Sequence, residues 1–333
     1  MFKNILAATD LVSVSNPVVT AAAMVAQKYQ ANLHVLHVLE SAHADNRLLV
    51  KHFKTGEEIV ASADYIKTVE NEISNTYAGL LKPSVNFEIS VTPGFPWEEI
   101  IRYSRQFKAG LLVLGPHSGR ASEKGSVRFA GKIGSTVEGV VMRENCPVMI
   151  VNPTAQINTA EFMKIVVGVD FSISCECALL FAVELARKSG GKIFPYHMIP
   201  VVPYPKYSRA DYEADLAAAG ERLEGFCGNF LNGVPYEYNI WGGALPHQEI
   251  IKCAAKKDAD LIVMGSHTKK VDGKWYAGSA VERTGFRSNC PVIVVTDPDA
   301  LLAWDESLLP ESQIGKNKDR LIHVFSKHPH TKH

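Results

Sequence analysis

Two glycine–serine pairs, Gly134-Ser135 and Gly278-Ser279, stand where an apolar-periodic stretch begins, so each is expected to open a helix. The first N–H groups of a helix have no intrahelical partner and sit at the positive end of its dipole, which makes glycine and serine there a natural cradle for phosphate. Two aspartates close apolar runs in the same way: Asp10 after Ile5-Leu6-Ala7-Ala8-Thr9, and Asp170 after Ile165-Val166-Val167-Gly168-Val169. At the end of a strand a short carboxylate either orients a ligand or caps the N–H groups of its own loop. His117, in Gly115-Pro116-His117-Ser118, and His267, in Gly265-Ser266-His267-Thr268, each lie two residues past a glycine. An imidazole there meets a phosphate or simply faces solvent.

Motifs for stronger chemistry do not occur. The chain has no G-x4-G-K-[ST] loop, and no G-x-G-x-x-G follows either first apolar run, which argues against a P-loop NTPase and a dinucleotide dehydrogenase. Ser189-Gly190-Gly191 precedes an apolar run instead of following one and reads as a helix terminator. Cys175 and Cys177 form C-x-C without the second pair that a zinc site needs. His34 and His37, three apart on an expected strand, face opposite sides of the sheet and cannot share a metal ion, so they read as core or edge histidines.

These residues come in pairs because the chain states one domain twice. Asp10 and Asp170, like His37 and His197, lie 160 apart; Pro96 and Pro246, like Gly115 and Gly265, lie 150 apart; Gly134 and Gly278, like Cys146 and Cys290, lie 144 apart. The two steps mark insertions in the first copy, one between His37 and Pro96 and one between Gly115 and Gly134. A repeat of about 150 residues has the size of a complete domain. The boundaries expected are 1–153 and 160–298, with a short linker over 153–159 and a tail at 299–333.

In each copy, short β-branched runs alternate with longer amphipathic segments, the pattern of β-α-β units. Strands are expected over 3–8, 32–39, 86–92, 111–115 and 148–152, and again over 164–169, 192–199, 236–241, 261–265 and 292–296. Runs such as Leu261-Ile262-Val263-Met264 are continuously apolar, as befits strands covered on both faces. Helices are expected over 178–188, from Pro96 to Phe107 and Pro246 to Lys257, and as a long second helix over 55–81 in one copy and 208–232 in the other. The expected fold class is α/β: two tandem doubly wound, Rossmann-like, five-stranded parallel sheets. Ligands bind such sheets beyond the carboxyl ends of the strands, where the strand order reverses. Those ends carry Asp10, Gly115, Gly134, Asp170, Gly265 and Gly278.

Composition narrows the partners. With 46% apolar and 21% charged residues the 333-residue chain has material for two ordinary cores. Lys+Arg and Asp+Glu both number 35, so no overall charge draws it to nucleic acid or to a membrane. No apolar run is long enough to span a bilayer, and Asp10 interrupts the N-terminal apolar stretch before it could form a signal-peptide core. A cytoplasmic protein with buried, reduced cysteines is expected, and the histidine-bearing tail (His323, His328, His330, His333) reads as a polar terminus.

On these residues the chain resembles the universal stress protein family in its tandem form, whose fold is that of the adenine nucleotide alpha hydrolases. The resemblance covers roughly 1–298 and is carried most specifically by the family's loop, G-x2-G-x9-G-[ST]. The second copy keeps the spacing, from Gly265 through Thr268 to Gly278-Ser279-Ala280, with threonine at the second glycine; the first has Ser118 there and fifteen residues before Gly134-Ser135-Thr136. The resemblance implies binding of ATP or a related adenine nucleotide. It places the adenine and ribose by Asp170 and Met198, or by Asp10 and Val38 in the first copy. The ribose and phosphates would lie along Gly265, His267, Thr268, Gly278, Ser279 and Ala280, and in the first copy along Gly115, Gly134, Ser135 and Thr136. A β-branched Thr268 resists the positive φ a glycine allows there, though its hydroxyl could donate to a phosphate; Arg120, Lys124, Arg128 and Lys132 supply charge to the first loop. The second site is the favoured one. With no general base or metal cluster identifiable, the expected role is a nucleotide-binding sensor or switch in the stress response and not an enzyme, any hydrolysis being slow. The alternative is an interaction or scaffold protein with degenerate loops. The resemblance also implies that the domains pair through their last strands as an internal pseudo-dimer, with a homodimer of the chain as a further option.

Overall fold

A computed structural model describes residues 1–11, 16–43, 46–81, 85–116, 133–155, 157, 161–201, 208–266, 269–271, 274–276 and 278–297. The first copy runs β1 (Asn4–Ala8), α1 (Asn16–Tyr29), β2 (Asn32–His43), β3 (Asn46–Lys51), β4 (Glu58–Val60), α2 (Ala63–Tyr77), β5 (Phe87–Gly94), α3 (Pro96–Phe107), β6 (Leu111–Leu114), α4 (Ser135–Val141) and β7 (Val148–Ile150). The second runs β8 (Lys164–Gly168), α5 (Ile173–Ser189), β9 (Lys192–Pro200), α6 (Arg209–Cys227), β10 (Asn239–Gly243), α7 (Pro246–Lys257), β11 (Leu261–Ser266), β12 (Lys269–Val271), β13 (Lys274–Tyr276), α8 (Ser279–Arg287) and β14 (Val292–Thr296).

The core strands of each copy lie in the order third, second, first, fourth, fifth, all parallel: β5-β2-β1-β6-β7 and β10-β9-β8-β11-β14. Every residue of β6 and β14 is buried, which is why those strands read as unbroken apolar runs. One face of the sheet packs α1, α2, α5 and α6, and the other packs α3, α4, α7 and α8. Proline at the first turn starts α3 and α7 as expected, and both end on a left-handed residue that is not glycine, Lys108 (φ 58°) and Asp258 (φ 50°). Ser62, Ser172 and Ser208 cap α2, α5 and α6, the last in a full capping box with Asp211.

Two expectations change. The helix expected over 55–81 begins only at Ala63, because 58–60 is strand β4. The first insertion forms an antiparallel ribbon: β2 runs on to His43, β3 pairs back on it through Ser41↔Val50, and β4 pairs with β3 through Val50↔Ile59. Val50 is fully buried within the core, so the ribbon is anchored. In the second copy the strand expected over 236–241 lies at Asn239–Gly243, with Tyr236 making a single bridge to Ile193.

The halves join where the fifth strands meet. β14 pairs antiparallel with β7, Val292↔Ile150, Ile293↔Met149 and Val294↔Val148, so twelve strands form one sheet. Met149 and Ile293 are equivalent positions, and a pseudo-two-fold axis therefore passes between them. Its two sides carry matching bonds: Thr296 Oγ1 donates to the Val141 carbonyl at 3.1 Å, and Asn152 Nδ2 donates to the Phe286 carbonyl. Away from the seam Phe2 and Phe181 lie 6.3 Å apart and Lys28 pairs with Glu161 at 3.2 Å, so one core cluster runs through both copies.

Candidate functional site

The strand order reverses between β1 and β6 in the first copy and between β8 and β11 in the second, the place where sheets of this kind take ligands. In the second copy β8 ends at Gly168 and the chain turns sharply at Phe171, a non-glycine residue held at φ 63°. Leu11 holds the equivalent place in the first copy at φ 62°. Backbone in this region costs of order 1–3 kcal/mol for a bulky side chain, so its presence twice marks a conformation the fold enforces. Nothing in the sequence signals it, since neither leucine nor phenylalanine favours that conformation.

The turn is fixed from both sides. Asp170 Oδ1 accepts from the Ser172 N–H at 3.2 Å and from Ser172 Oγ at 2.6 Å, and Ser172 Oγ accepts in turn from the Cys175 N–H at 3.1 Å. Asp170 thus caps its loop and stays exposed after β8. His197 Nδ1 lies 2.8 Å from the Val169 carbonyl, and His37 Nδ1 lies 2.7 Å from that of Thr9. A carbonyl only accepts, so the proton sits on Nδ1 in both rings. In the first copy the loop gains a buried bond between Thr9 Oγ1 and the Tyr77 hydroxyl at 2.6 Å; Val169 and Cys227 occupy those places in the second.

Gly265 shares this spot. A Cβ on it would lie 2.5 Å from the Ser174 carbonyl and 2.7 Å from the Cys175 nitrogen, so its glycine is required by the first turn of α5. The phosphate role expected of Gly265 therefore competes with a packing role. Met198 on β9 lies beside Trp241 in register, with its sulfur against Gly243; Val38 on β2 lies beside Thr92. Met198 sits near the carboxyl end of β9, which adjoins β8, and Val38 midway along β2, which adjoins β1.

The helix starts differ between copies. Gly278 caps α8 at φ 96°, a conformation L side chains rarely adopt, and Ser279 is exposed. Gly134 caps α4 at an ordinary φ of −74°, its N–H bonded to the Pro116 carbonyl at 2.7 Å, and leads into the seven residues of α4, with Ser135 exposed and Thr136 half-buried. Gly115 directly follows β6 and is half-buried. His117, the basic stretch 119–132, His267, Thr268 and the tail lie outside the described residues.

Around Phe171 the copies diverge in charge. The Arg222 guanidinium stacks 4.0 Å above the Phe171 ring, which also meets His197 at 4.5 Å and Phe226 edge-on at 5.5 Å. Arg222 corresponds to Glu72, bound by Lys54 of the ribbon at 2.8 Å. Between β11 and α8, where the resemblance implies a loop, stands a hairpin, Lys269↔Tyr276, Lys270↔Trp275 and Val271↔Lys274. The Asp272-Gly273 dipeptide between its strands was the available signal.

Other titratable groups are structural. His34 is buried against Tyr103 and Phe107, with Glu88 3.7 Å away, and burial holds its pKa below the ordinary value against the pull of Glu88. Cys175 and Cys177 lie buried in the first turn and a half of α5, and burial pushes the thiols of Cys227 and Cys253 up to about 12 and of Cys290 up to about 11. No group of three or more His, Cys, Asp or Glu able to hold a metal occurs among the described residues.

Known proteins share this architecture. A model of the universal stress protein family matches residues 1–152 and again 161–296. A universal stress protein of Methanocaldococcus jannaschii is 30% identical over 146 residues, 41% of this chain and 84% of its own length. Another, of Thermus aquaticus, is 28% identical over 137 residues, 40% of this chain and 98% of its own. Among solved structures, a universal stress protein from Archaeoglobus fulgidus superposes over 89% of this chain and 97% of its own with a TM-score of 0.61 at 23% identity. A Pseudomonas aeruginosa protein described as functionally unknown covers 90% and 94% with a TM-score of 0.55 at 14% identity.

Proposed function

Since the chain belongs to the universal stress protein family in its tandem two-domain form, we propose that it binds one ATP or related adenine nucleotide per chain, in the second copy, as a sensor or switch. The observation that carries the reading is Gly278: its φ of 96° is open to glycine, and it caps α8, the helix that follows β11 at the reversal point between β8 and β11. Asp170, on the loop after β8, and Met198, near the end of the adjoining β9, are the residues taken to meet the base and ribose in this reading. The first copy supports this division, because its helix cap, Gly134 at φ −74°, needs no special conformation.

Binding, not turnover, is the function inferred, and the setting inferred is the cytoplasm, in keeping with several buried thiols of raised pKa. No described helix is long and apolar enough to cross a membrane. Isothermal titration of the full chain with ATP tests the reading. A single site per chain that disappears in Gly278→Arg supports it; no binding by the intact protein overturns it, and two equal sites overturn its assignment to the second copy.

A further inference from the structure

We propose that the second copy carries a phosphate site in which His247 at the start of α7, with Arg283 and Arg287 of α8, takes inorganic phosphate or the phosphoryl group of a small molecule. The site is separate from the nucleotide reading above and does not rest on it.

The first copy shows that these three positions meet in space. Trp97, Gly139 and Arg143 are their equivalents. There the Arg143 guanidinium stacks 4.5 Å above the Trp97 ring and donates to the Gly139 carbonyl at 3.2 Å, and a Cβ on Gly139 would lie 2.9 Å from Trp97 Cγ. One cation thus rests on an aromatic face, with Glu138 and Glu98 near enough to favour its charge. In the second copy α7 and α8 pack as α3 and α4 do, but the residues change. Imidazole replaces indole, Arg283 replaces Gly139, and Gln248 replaces Glu98.

The exchange gathers positive charge without a counter-ion. His247 is only 3% exposed, and among the described residues no hydrogen bond or ion pair engages its side chain or those of Arg283 and Arg287. Burial holds the His247 pKa below its ordinary value and the two guanidinium groups lower it further, so both cations lie close to the ring. Of the acidic side chains on these helices, Glu249 is held by Trp241 at 2.9 Å and Lys252 at 2.7 Å, and Glu282 is buried with a partner outside this group. Like charges gathered at a half-buried place repel, and an anion between them turns that repulsion into attraction. α7 starts without a side-chain cap, and an uncapped helix start favours an anion as well. Two guanidinium forks and an imidazole match the several oxygens and double charge of phosphate better than a lone carboxylate. A ring so little exposed admits a compact ion and not a flat protein surface. Arg283 lies four residues past Ser279, about 6 Å along the axis, so the cluster is distinct from the start of α8.

Inorganic phosphate and phosphoserine are titrated into the full-length protein in chloride buffer of matched ionic strength, by calorimetry and by thermal melt. The wild type is expected to bind both, and Arg283→Gln and Arg287→Gln each to weaken binding about tenfold or more, since one charged hydrogen bond is worth about that factor. Relief of the repulsion should leave the double variant melting no lower than the wild type in phosphate-free buffer. A preference for inorganic phosphate marks a free-ion site, and a preference for phosphoserine marks a phosphorylated small molecule. Binding of neither by the wild type, affinity unchanged in the double variant, or a double variant that melts lower without phosphate overturns the site. ATP separates the two readings. The double variant is expected to keep the wild-type affinity for ATP, and an equal loss of ATP and phosphate binding overturns the separate site by placing both arginines in the nucleotide site. A wild type that binds phosphate but not ATP removes the nucleotide reading alone.

Discussion

At the scale of single residues, geometry assigns several side chains to structure that their position in the sequence offered to a ligand. Asp170 is the plainest case: its Oδ1 holds the Ser172 N–H and hydroxyl, and Ser172 then caps α5. Asp170→Ala should therefore lower stability by about 0.5–2 kcal/mol, read by urea unfolding, whether or not nucleotide binding also suffers. Gly278→Ala tests the opposite kind of residue. A Cβ at φ 96° costs of order 1 kcal/mol or more, while Gly134→Ala, at φ −74°, meets no such backbone strain, loses only the N-cap preference for glycine over alanine, and is expected to leave nucleotide titration unchanged. The sequence showed both glycines at helix starts; it could not show that they differ, because φ is set by the chain that arrives at them. The left-handed Leu11 and Phe171 were equally hidden, since neither residue type favours that conformation.

Among elements, the strands were the most legible and the insertions the least. A buried strand needs a run of β-branched residues and little else, so β6, β11 and β14 fall within a residue or two of their expected ends. The ribbon is hard to read in the sequence because the polar residues over 55–58 look like the start of an amphipathic helix until Val50 and Ile59 are known to pair. Arg47 ties that ribbon to α3, reaching Glu98 at 3.2 Å and Glu99 at 3.1 Å, and the Glu99 side chain is only 4% exposed. Glu99 also accepts from Arg102, so Arg47→Ala leaves it partnered and should cost about 1 kcal/mol or less, whereas Glu99→Ala takes the buried carboxylate from both arginines, leaving Arg47 with Glu98 and Arg102 with Thr92, and should cost more by thermal melt. The seam is tight in another way: a Cβ on Gly285 of α8 would lie 2.9 Å from Ile150 Cδ1. Gly285→Val is expected to destabilise by about 1–3 kcal/mol, and Ile150→Ala in the same chain to recover part of the loss.

For the whole molecule, the continuous sheet and shared core cluster make the two copies one folding unit, so calorimetry of the full chain should show a single transition. Its stability should fall in mild acid. Burial holds His34 below its ordinary pKa, and burial with Arg283 and Arg287 does the same for His247. The unfolded chain therefore takes up protons that the folded one refuses, and stability present above about pH 6.5 is lost as pH falls from there toward the folded values. His34→Phe, which suits the Tyr103 and Phe107 rings around it, should flatten part of that dependence when unfolding is compared at pH 5 and 7.5. The pseudo-two-fold axis between Met149 and Ile293 has a last consequence, for inheritance. When two identical chains meet on such an axis, every substitution appears on both sides and must be tolerated twice. Tethered in one polypeptide, each half mutates alone while its partner is supplied at fixed, high local concentration. Glu72 facing Lys54 on one side and Arg222 over Phe171 on the other is the kind of difference that only this freedom permits.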